Sequence, residues 1–268
     1  MSQYAELAAH NLVLVREKRP LIHNITNYVV MHYTANALLA LGASPVMAHA
    51  VEEVEDMVGL ASALVINIGT LSGPWIEAMF LAGRTARRKG IPVIVDPVGC
   101  GATRLRTETT HRILKEGWPT ILRGNGSEIR ALFHSEQATK GVDSRHTSEA
   151  ALEAAQGLSI RFGCAVSVSG AVDFVLSGDS VMRVSNGHSL MPRVTGMGCA
   201  ASALTGAFAA ANRSPLRAAA HAMAVMGIAG EIAAERAEGP GSFQVRFLDA
   251  LFRLSEADIT ARLKMEEA

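Results

Sequence analysis

The residues best suited to chemistry lie in Val194-Thr195-Gly196-Met197-Gly198-Cys199-Ala200-Ala201-Ser202-Ala203, where two glycines bracket one residue, a cysteine follows and an alanine-rich apolar run begins. A loop that opens a helix in this way leaves the first backbone N–H groups without intrahelical acceptors. With the positive end of the helix dipole, they form a site suited to phosphate. The same donors would stabilise charge that develops in a transition state. A tight turn with close helix packing accounts for the glycines as well. Cys199 has three readings: a nucleophile, a base or a small buried packing residue. The field of a helix start would favour its thiolate. Covalent thiol chemistry wants a histidine base, and none of the nine histidines is tied to Cys199 by a local signature. Neither a Gly-x-x-x-x-Gly-Lys-Ser/Thr loop nor a strand-linked Gly-x-Gly-x-x-Gly fingerprint occurs in the sequence.

Other polar residues follow short apolar runs. Asp96 ends Pro92-Val93-Ile94-Val95-Asp96, and Arg123 ends Thr120-Ile121-Leu122-Arg123. Asn67, Gly69 and Thr70 follow Ala63-Leu64-Val65-Ile66, and Ser169-Gly170 follows Ala165-Val166-Ser167-Val168. A carboxylate at the mouth of a parallel sheet can hold a metal ion directly or through water, and Asp before Pro also starts turns. Glu128, in Asn125-Gly126-Ser127-Glu128, fits a helix-start motif with Asn125 as N-cap and Glu128 at the capping-box position. Arg123 suits a phosphate clamp or a surface ion pair.

The elements that must position these residues alternate. The pattern predicts helices over residues 4–19, 30–41, 74–89, 107–116 and 148–162, with a polar loop over 23–27 and a short extended segment at 44–47. Strands are expected over 63–68, 92–96, 120–123 and 165–169, and a hairpin over 174–184 turns at Gly178-Asp179. From Cys199 onward the pattern is nearly all helix. Short apolar strands between longer helices mean βαβ units and a mostly parallel sheet, whose ligands bind beyond the strand carboxyl ends. With no repeat, low-complexity linker or composition shift, residues 1–268 read as a single domain.

Composition narrows the function classes. Of 268 residues, 49% are hydrophobic and only 5% aromatic, so the core is built from Ala, Val, Leu, Ile and Met. Lys+Arg and Asp+Glu balance at 25 each, without long runs of either sign, which argues against nucleic acid or an anionic membrane as partner. Three well-separated cysteines, Cys100, Cys164 and Cys199, suit neither a disulfide framework nor a zinc site, and fit a reducing compartment. Without a signal-peptide pattern or an uninterrupted apolar run of bilayer length, the expectation is a cytoplasmic protein.

Taken together, several blocks resemble a known family. Asn125-Gly126-Ser127-Glu128 is similar to the Asn-x-x-Glu motif of ribokinase-fold vitamin kinases, and Gly196-Met197-Gly198-Cys199 to their Gly-x-Gly-Asp anion hole with Cys in place of Asp. The longer blocks His23-Asn24-Ile25-Thr26-Asn27, Leu41-Gly42-Ala43-Ser44-Pro45-Val46-Met47, Asn67-Ile68-Gly69-Thr70-Leu71, Asp96-Pro97-Val98-Gly99 and Gly239-Pro240-Gly241-Ser242-Phe243 resemble the hydroxyethylthiazole kinase family. This resemblance runs over residues 20–250. It implies an α/β, ribokinase-like fold with a mostly parallel sheet flanked by helices and a hairpin at its edge. It also implies ATP- and Mg2+-dependent phosphorylation of the alcohol of 4-methyl-5-(2-hydroxyethyl)thiazole in thiamine salvage, by a homotrimer with active sites at subunit interfaces. By similarity, Asn27, Met47 and Gly196 hold the thiazole alcohol, Arg123 and Ser169 contact ATP, and Asp96 and Glu128 organise Mg2+ and phosphates. Gly196, Gly198 and Cys199 form the catalytic loop, with Cys199 beside the attacking hydroxyl as a weak base. Ser169 stands where threonine also occurs, which keeps the hydroxyl. The alternatives are a kinase for hydroxymethylpyrimidine and a non-catalytic binder that senses thiazole or nucleotide.

Overall fold

The computed structural model describes residues 2–136 and 148–268. In chain order they form α1 (Gln3–Lys18), β1 (Leu21–Ile25), α2 (Met31–Leu41), β2 (Ser44–Val46), α3 (Val54–Leu60), β3 (Ala63–Asn67), α4 (Gly73–Lys89), β4 (Val93–Asp96), α5 (Arg104–Lys115), β5 (Ile121–Asn125) and α6 (Gly126–Glu136). There follow α7 (Ser148–Phe162), β6 (Ala165–Ser169), β7 (Asp173–Ser177), β8 (Ser180–Val184), α8 (Met197–Ala211), α9 (Pro215–Ala234), α10 (Pro240–Arg253), α11 (Glu256–Arg262) and β9 (Met265–Glu267). The strands join in one sheet in the order β2-β1-β3-β4-β5-β6-β7-β8-β9. From β1 to β6 all neighbours are parallel, and β7, β8 and β9 pair antiparallel.

Side chains alternate across each strand, so every central strand feeds two cores. Ala63, Val65, Ile94 and Ile121 face one cluster with α1, α2, α8, α9 and α10. Leu64, Ile66, Val93, Val95 and Leu122 face the other, with α3, α4, α6 and α7. Strands buried on both faces read as unbroken apolar runs, which is why β3 to β6 stood out in the sequence. The fully buried Phe208, Phe243 and Phe247 anchor the first core, each contributing roughly 1.5–3 kcal/mol. Parallel register sets the strand ends side by side: Asn67 pairs with Asp96, and Asn125 with Ser169.

The predicted helices and strands form within a few residues of their expected ends. Residues 23–25 differ, since they were expected in a polar loop and instead belong to β1, between β2 and β3. Their polar side chains bond inside the fold: His23 Nε2 donates to the Ala48 carbonyl (2.8 Å) and Asn24 Nδ2 to the Ile22 carbonyl (2.8 Å), while His23 Nδ1 and Asn24 Oδ1 are buried without a partner among the described residues. Polarity there marks internal hydrogen bonding rather than exposure. The hairpin β7–β8 lies at the antiparallel end as expected, and β9 adds one strand beyond it. Neither β9 nor α3 was announced by the sequence pattern.

Candidate functional site

At the carboxyl ends of the parallel strands lies a cavity of about 660 Å3. Its lining comes from successive strand ends: Asp96 ends β4, Arg123 and Asn125 belong to β5, Ser169 ends β6 with Gly170 just after it, and Asp173 starts β7. The loop after β8 supplies Asn186 to Ser189, and Gly196 to Cys199 close it from the start of α8. Met191, Met223 and Met226 make one end apolar.

Gly196 caps α8 in the left-handed conformation (φ 88°), and no side chain caps the helix there. A Cβ at Gly196 would also approach Val30 Cγ1 to 3.0 Å, so glycine is required twice over. The first-turn amides of Met197, Gly198 and Cys199 have no intrahelical acceptor. Arg123 is 7% exposed and donates from Nη1 to the Gly198 carbonyl (2.9 Å), which ties the strand end to that first turn. Its Nε is buried without a partner among the described residues.

Behind the loop a chain of polar side chains crosses from β1 to α8. Asn27 Nδ2 donates to Cys199 Sγ (3.4 Å) and to Asn67 Oδ1 (2.9 Å). Asn67 Nδ2 donates to Asp96 Oδ2 (2.9 Å), which also accepts from Ser202 Oγ (2.7 Å). Asp96 is 1% exposed, and burial raises its pKa to about 7 against the opposing charge of Arg123 and its two hydrogen bonds. Burial, with the Asp96 charge second, pushes the Cys199 thiol up to about 11. The thiolate expected from the helix-start field is therefore not the resting form, because desolvation and a neighbouring carboxylate outweigh the helix dipole.

Glu128 makes the capping box read from the sequence: Asn125 Oδ1 accepts from the Glu128 amide and Glu128 Oε2 from the Asn125 amide, both at 2.9 Å. Its other oxygen accepts from the Gly99 amide (2.9 Å), which fixes the loop after β4. Structural and site readings of Glu128 thus coincide, since the residue lines the cavity while holding two backbone segments. Among the described residues no group of three His, Cys, Asp or Glu side chains could hold a metal by itself. The oxygen donors Asp96 and Glu128 fit Mg2+, which is usually held by one or two carboxylates and takes its other ligands from phosphates and water.

Ser169 lies in the cavity lining, its Oγ 3.4 Å from the Gly124 carbonyl. Asn27 stands behind Cys199, and neither it nor the half-buried Met47 lines the cavity of the single chain. Sequence reasoning missed Asp173, whose carboxylate accepts from the Gly170 amide (2.9 Å) and is raised by burial to about 6. It also missed Arg106, which donates to the Val98 and Gly69 carbonyls (2.6 and 2.7 Å) and clamps the loops after β3 and β4. The wall of Asn186 to Ser189 was missed as well. None of these belongs to a short motif; Asp173 and Asn186 to Ser189 are marked only by their place beside strand ends, and Arg106 lies in the first turn of α5.

Such a site, an uncapped helix start facing strand-end carboxylates and an arginine, suits the binding of phosphates. Residues 12–257 match the model of the hydroxyethylthiazole kinase family. A hydroxyethylthiazole kinase of Nitratidesulfovibrio vulgaris (strain Miyazaki F) is 56% identical over 95% of this chain and 96% of its own length. One from Syntrophus aciditrophicus is 58% identical over 94% and 93%. The structure of hydroxyethylthiazole kinase from Pyrococcus horikoshii OT3 superposes with a TM-score of 0.92 at 47% identity, covering 98% of this chain and 99% of that one. A pyridoxal kinase from Staphylococcus aureus in complex with ADP gives a TM-score of 0.67 at 15% identity, over 92% of this chain and 97% of that one, a likeness of fold alone.

Proposed function

This chain belongs to the hydroxyethylthiazole kinase family, and on that premise we propose that it transfers the γ-phosphoryl group of ATP to the primary alcohol of 4-methyl-5-(2-hydroxyethyl)thiazole in thiamine salvage. One observation carries the reading at the level of residues: the uncapped first turn of α8 opens into the same cavity as Asp96, Arg123 and Glu128. Phosphoryl transfer asks a protein mainly for positioning and for neutralising charge. Gly196 and Gly198 let backbone donors face the moving group, and Arg123 adds a fixed positive charge beside them. Mg2+, held by Asp96 and Glu128 directly or through water, would screen the phosphates. Ser169 and Arg123 contact ATP, whose nucleoside end extends toward Met191, Met223 and Met226.

Asn27, Met47 and Gly196 hold the thiazole alcohol. Cys199, kept as a thiol, orients the hydroxyl and is not an obligatory base. A loose transition state needs little removal of the hydroxyl proton before the O–P bond forms. The working unit in this reading is a homotrimer of single kinase domains spanning residues 1–268. Asn27 and Met47, standing outside the single-chain cavity, complete the substrate wall at the subunit interface. The free thiols Cys100, Cys164 and Cys199 favour a cytoplasmic setting. No helix among the described residues is long and apolar enough to cross a membrane.

A coupled ADP-release assay with the thiazole alcohol, hydroxymethylpyrimidine and no acceptor tests the proposal. Turnover that requires ATP and Mg2+ and prefers the thiazole alcohol is expected. Preference for the pyrimidine overturns the substrate, and ADP binding without turnover on either acceptor overturns catalysis.

A further inference from the structure

The cavity wall formed by the loop after β8 is held by a carboxylate that does not itself line the cavity. Glu231, on α9, has a side chain only 14% exposed. Its Oε1 accepts from three donors on two segments: Asn186 Nδ2 (3.1 Å), the Gly187 amide (3.2 Å) and Lys264 Nζ (2.9 Å). Asn186 is 5% exposed and fully engaged: Nδ2 also donates to the Arg262 carbonyl (2.8 Å), and Oδ1 accepts from the Lys264 amide (2.8 Å). One turn earlier on α9, Gly227 lies so close that a Cβ there would come within 2.6 Å of the Asn186 carbonyl group. The loop is therefore clamped between α9 and the segment that leads into β9. A largely shielded carboxylate that accepts three hydrogen bonds is an anchor, and removing it frees the Gly187 amide and leaves Asn186 Nδ2 with the Arg262 carbonyl alone.

Asn186 and Gly187 line the same cavity, just after β8, four strands along the sheet from β4 and Asp96. From β4 to β8 the lining crosses four strand spacings of about 4.8 Å, about 19 Å in all. A nucleotide with its phosphates at α8 and Arg123 must lay its nucleoside across β6 and β7 toward this wall. We propose that Glu231 is a positioning residue for the nucleotide: through Asn186 and Gly187 it fixes the surface against which the nucleoside end of ATP rests. The inference rests on reading the cavity as the ATP site, and it makes the C-terminal strand part of the apparatus that shapes that site.

Steady-state kinetics on Glu231→Ala and Glu231→Gln, with ATP and thiazole alcohol varied in turn, test it alongside calorimetric titration with ADP. Glu231→Ala should raise the KM for ATP and weaken ADP binding about tenfold, the effect of losing one to two anchoring hydrogen bonds. The kcat and the KM for the thiazole alcohol should stay within about twofold. Glu231→Gln, which keeps an acceptor oxygen, should restore most of the affinity. Should Glu231→Ala not fold, Glu231→Asp, which keeps the charge but withdraws the acceptor by one methylene, must give the same split. An unchanged ATP KM and ADP affinity, or a parallel loss across both substrates and kcat, overturns the proposal. Wild-type protein that binds no ADP overturns the reading of the cavity itself, whereas equal ADP binding by wild type and Glu231→Ala overturns only the role of Glu231.

Discussion

At Cys199 two effects oppose each other. The first turn of α8 offers donors that would favour a thiolate, while burial and the nearby Asp96 carboxylate disfavour one, and the balance leaves the pKa at about 11. A general base contributes about 10²–10⁴-fold to a rate, and a group that stays protonated across neutral pH cannot supply it. Cys199→Ala should therefore keep turnover within about 100-fold of the parent, and both proteins should share one kcat profile between roughly pH 6 and 9. Cys199→Asp should be at least as fast, because an acid is favoured at a helix start. Loss of all activity in both variants would contradict catalysis by positioning. Glu128 has the opposite economy, with both oxygens facing amide donors at 2.9 Å. In Glu128→Gln the new NH2 must face either the Gly99 or the Asn125 amide. The expected result is a loss of about 1–3 kcal/mol in denaturant unfolding together with a higher Mg2+ requirement. Unchanged turnover across a magnesium titration would remove Glu128 from the site.

Among the elements, α1 and α9 share a buried polar pair. Asn11 Nδ2 donates to His221 Nδ1 (2.7 Å), which leaves the ring proton on Nε2, buried and without a partner among the described residues. Burial, then the charge of Arg217, lowers the His221 pKa from 6.5 to about 4. Because the folded value lies below the unfolded one, the unfolded chain binds more protons between these limits. Stability is then full above pH 6.5 and falls as pH drops toward 4, by about 3 kcal/mol from this group. Urea unfolding across that range should show a shallower pH slope for His221→Leu than for wild type, and parallel slopes would exclude His221 as the cause. The elements themselves were largely legible. Strands β3 to β6 are buried on both faces, and helices α2 and α4 end at Gly42 and Gly90, both in the left-handed conformation. His221 was not legible, since nothing local distinguishes a histidine buried neutral from one on a helix surface. β1 was misread at residues 23–25 because its polar side chains bond to backbone carbonyls far along the chain or within the strand, a pairing no local pattern carries. Asp173 and Asn186 escaped for a related reason: no motif marks the turns beside β7 and β8, and Asn186 is held by residues 262–264, far along the chain.

For the whole molecule, the site residues divide into two sets. Asp96, Arg123, Glu128, Ser169 and the α8 loop line one cavity within the chain, while Asn27 and Met47 stand outside it. Next to Asn27 the chain turns outward: Tyr28 is 62% and Val29 68% exposed, although Tyr28 N is fixed by Thr70 Oγ1 (3.2 Å) and its ring packs 4.6 Å from Trp75. Exposed apolar side chains beside the proposed substrate residue Asn27 suit the proposed subunit interface. Val29→Arg sets a charge where a partner must dock, without touching either core. The wild type should scatter light as a trimer and Val29→Arg as a smaller species with unchanged far-UV circular dichroism. Because the cavity proposed to hold the nucleotide lies within one chain, ADP affinity should persist. The KM for the thiazole alcohol should rise by about tenfold or more, the cost of losing one to two kcal/mol of contact. A monomeric wild type, or a Val29→Arg variant with the mass and kinetics of the parent, would place the whole substrate site within a single chain.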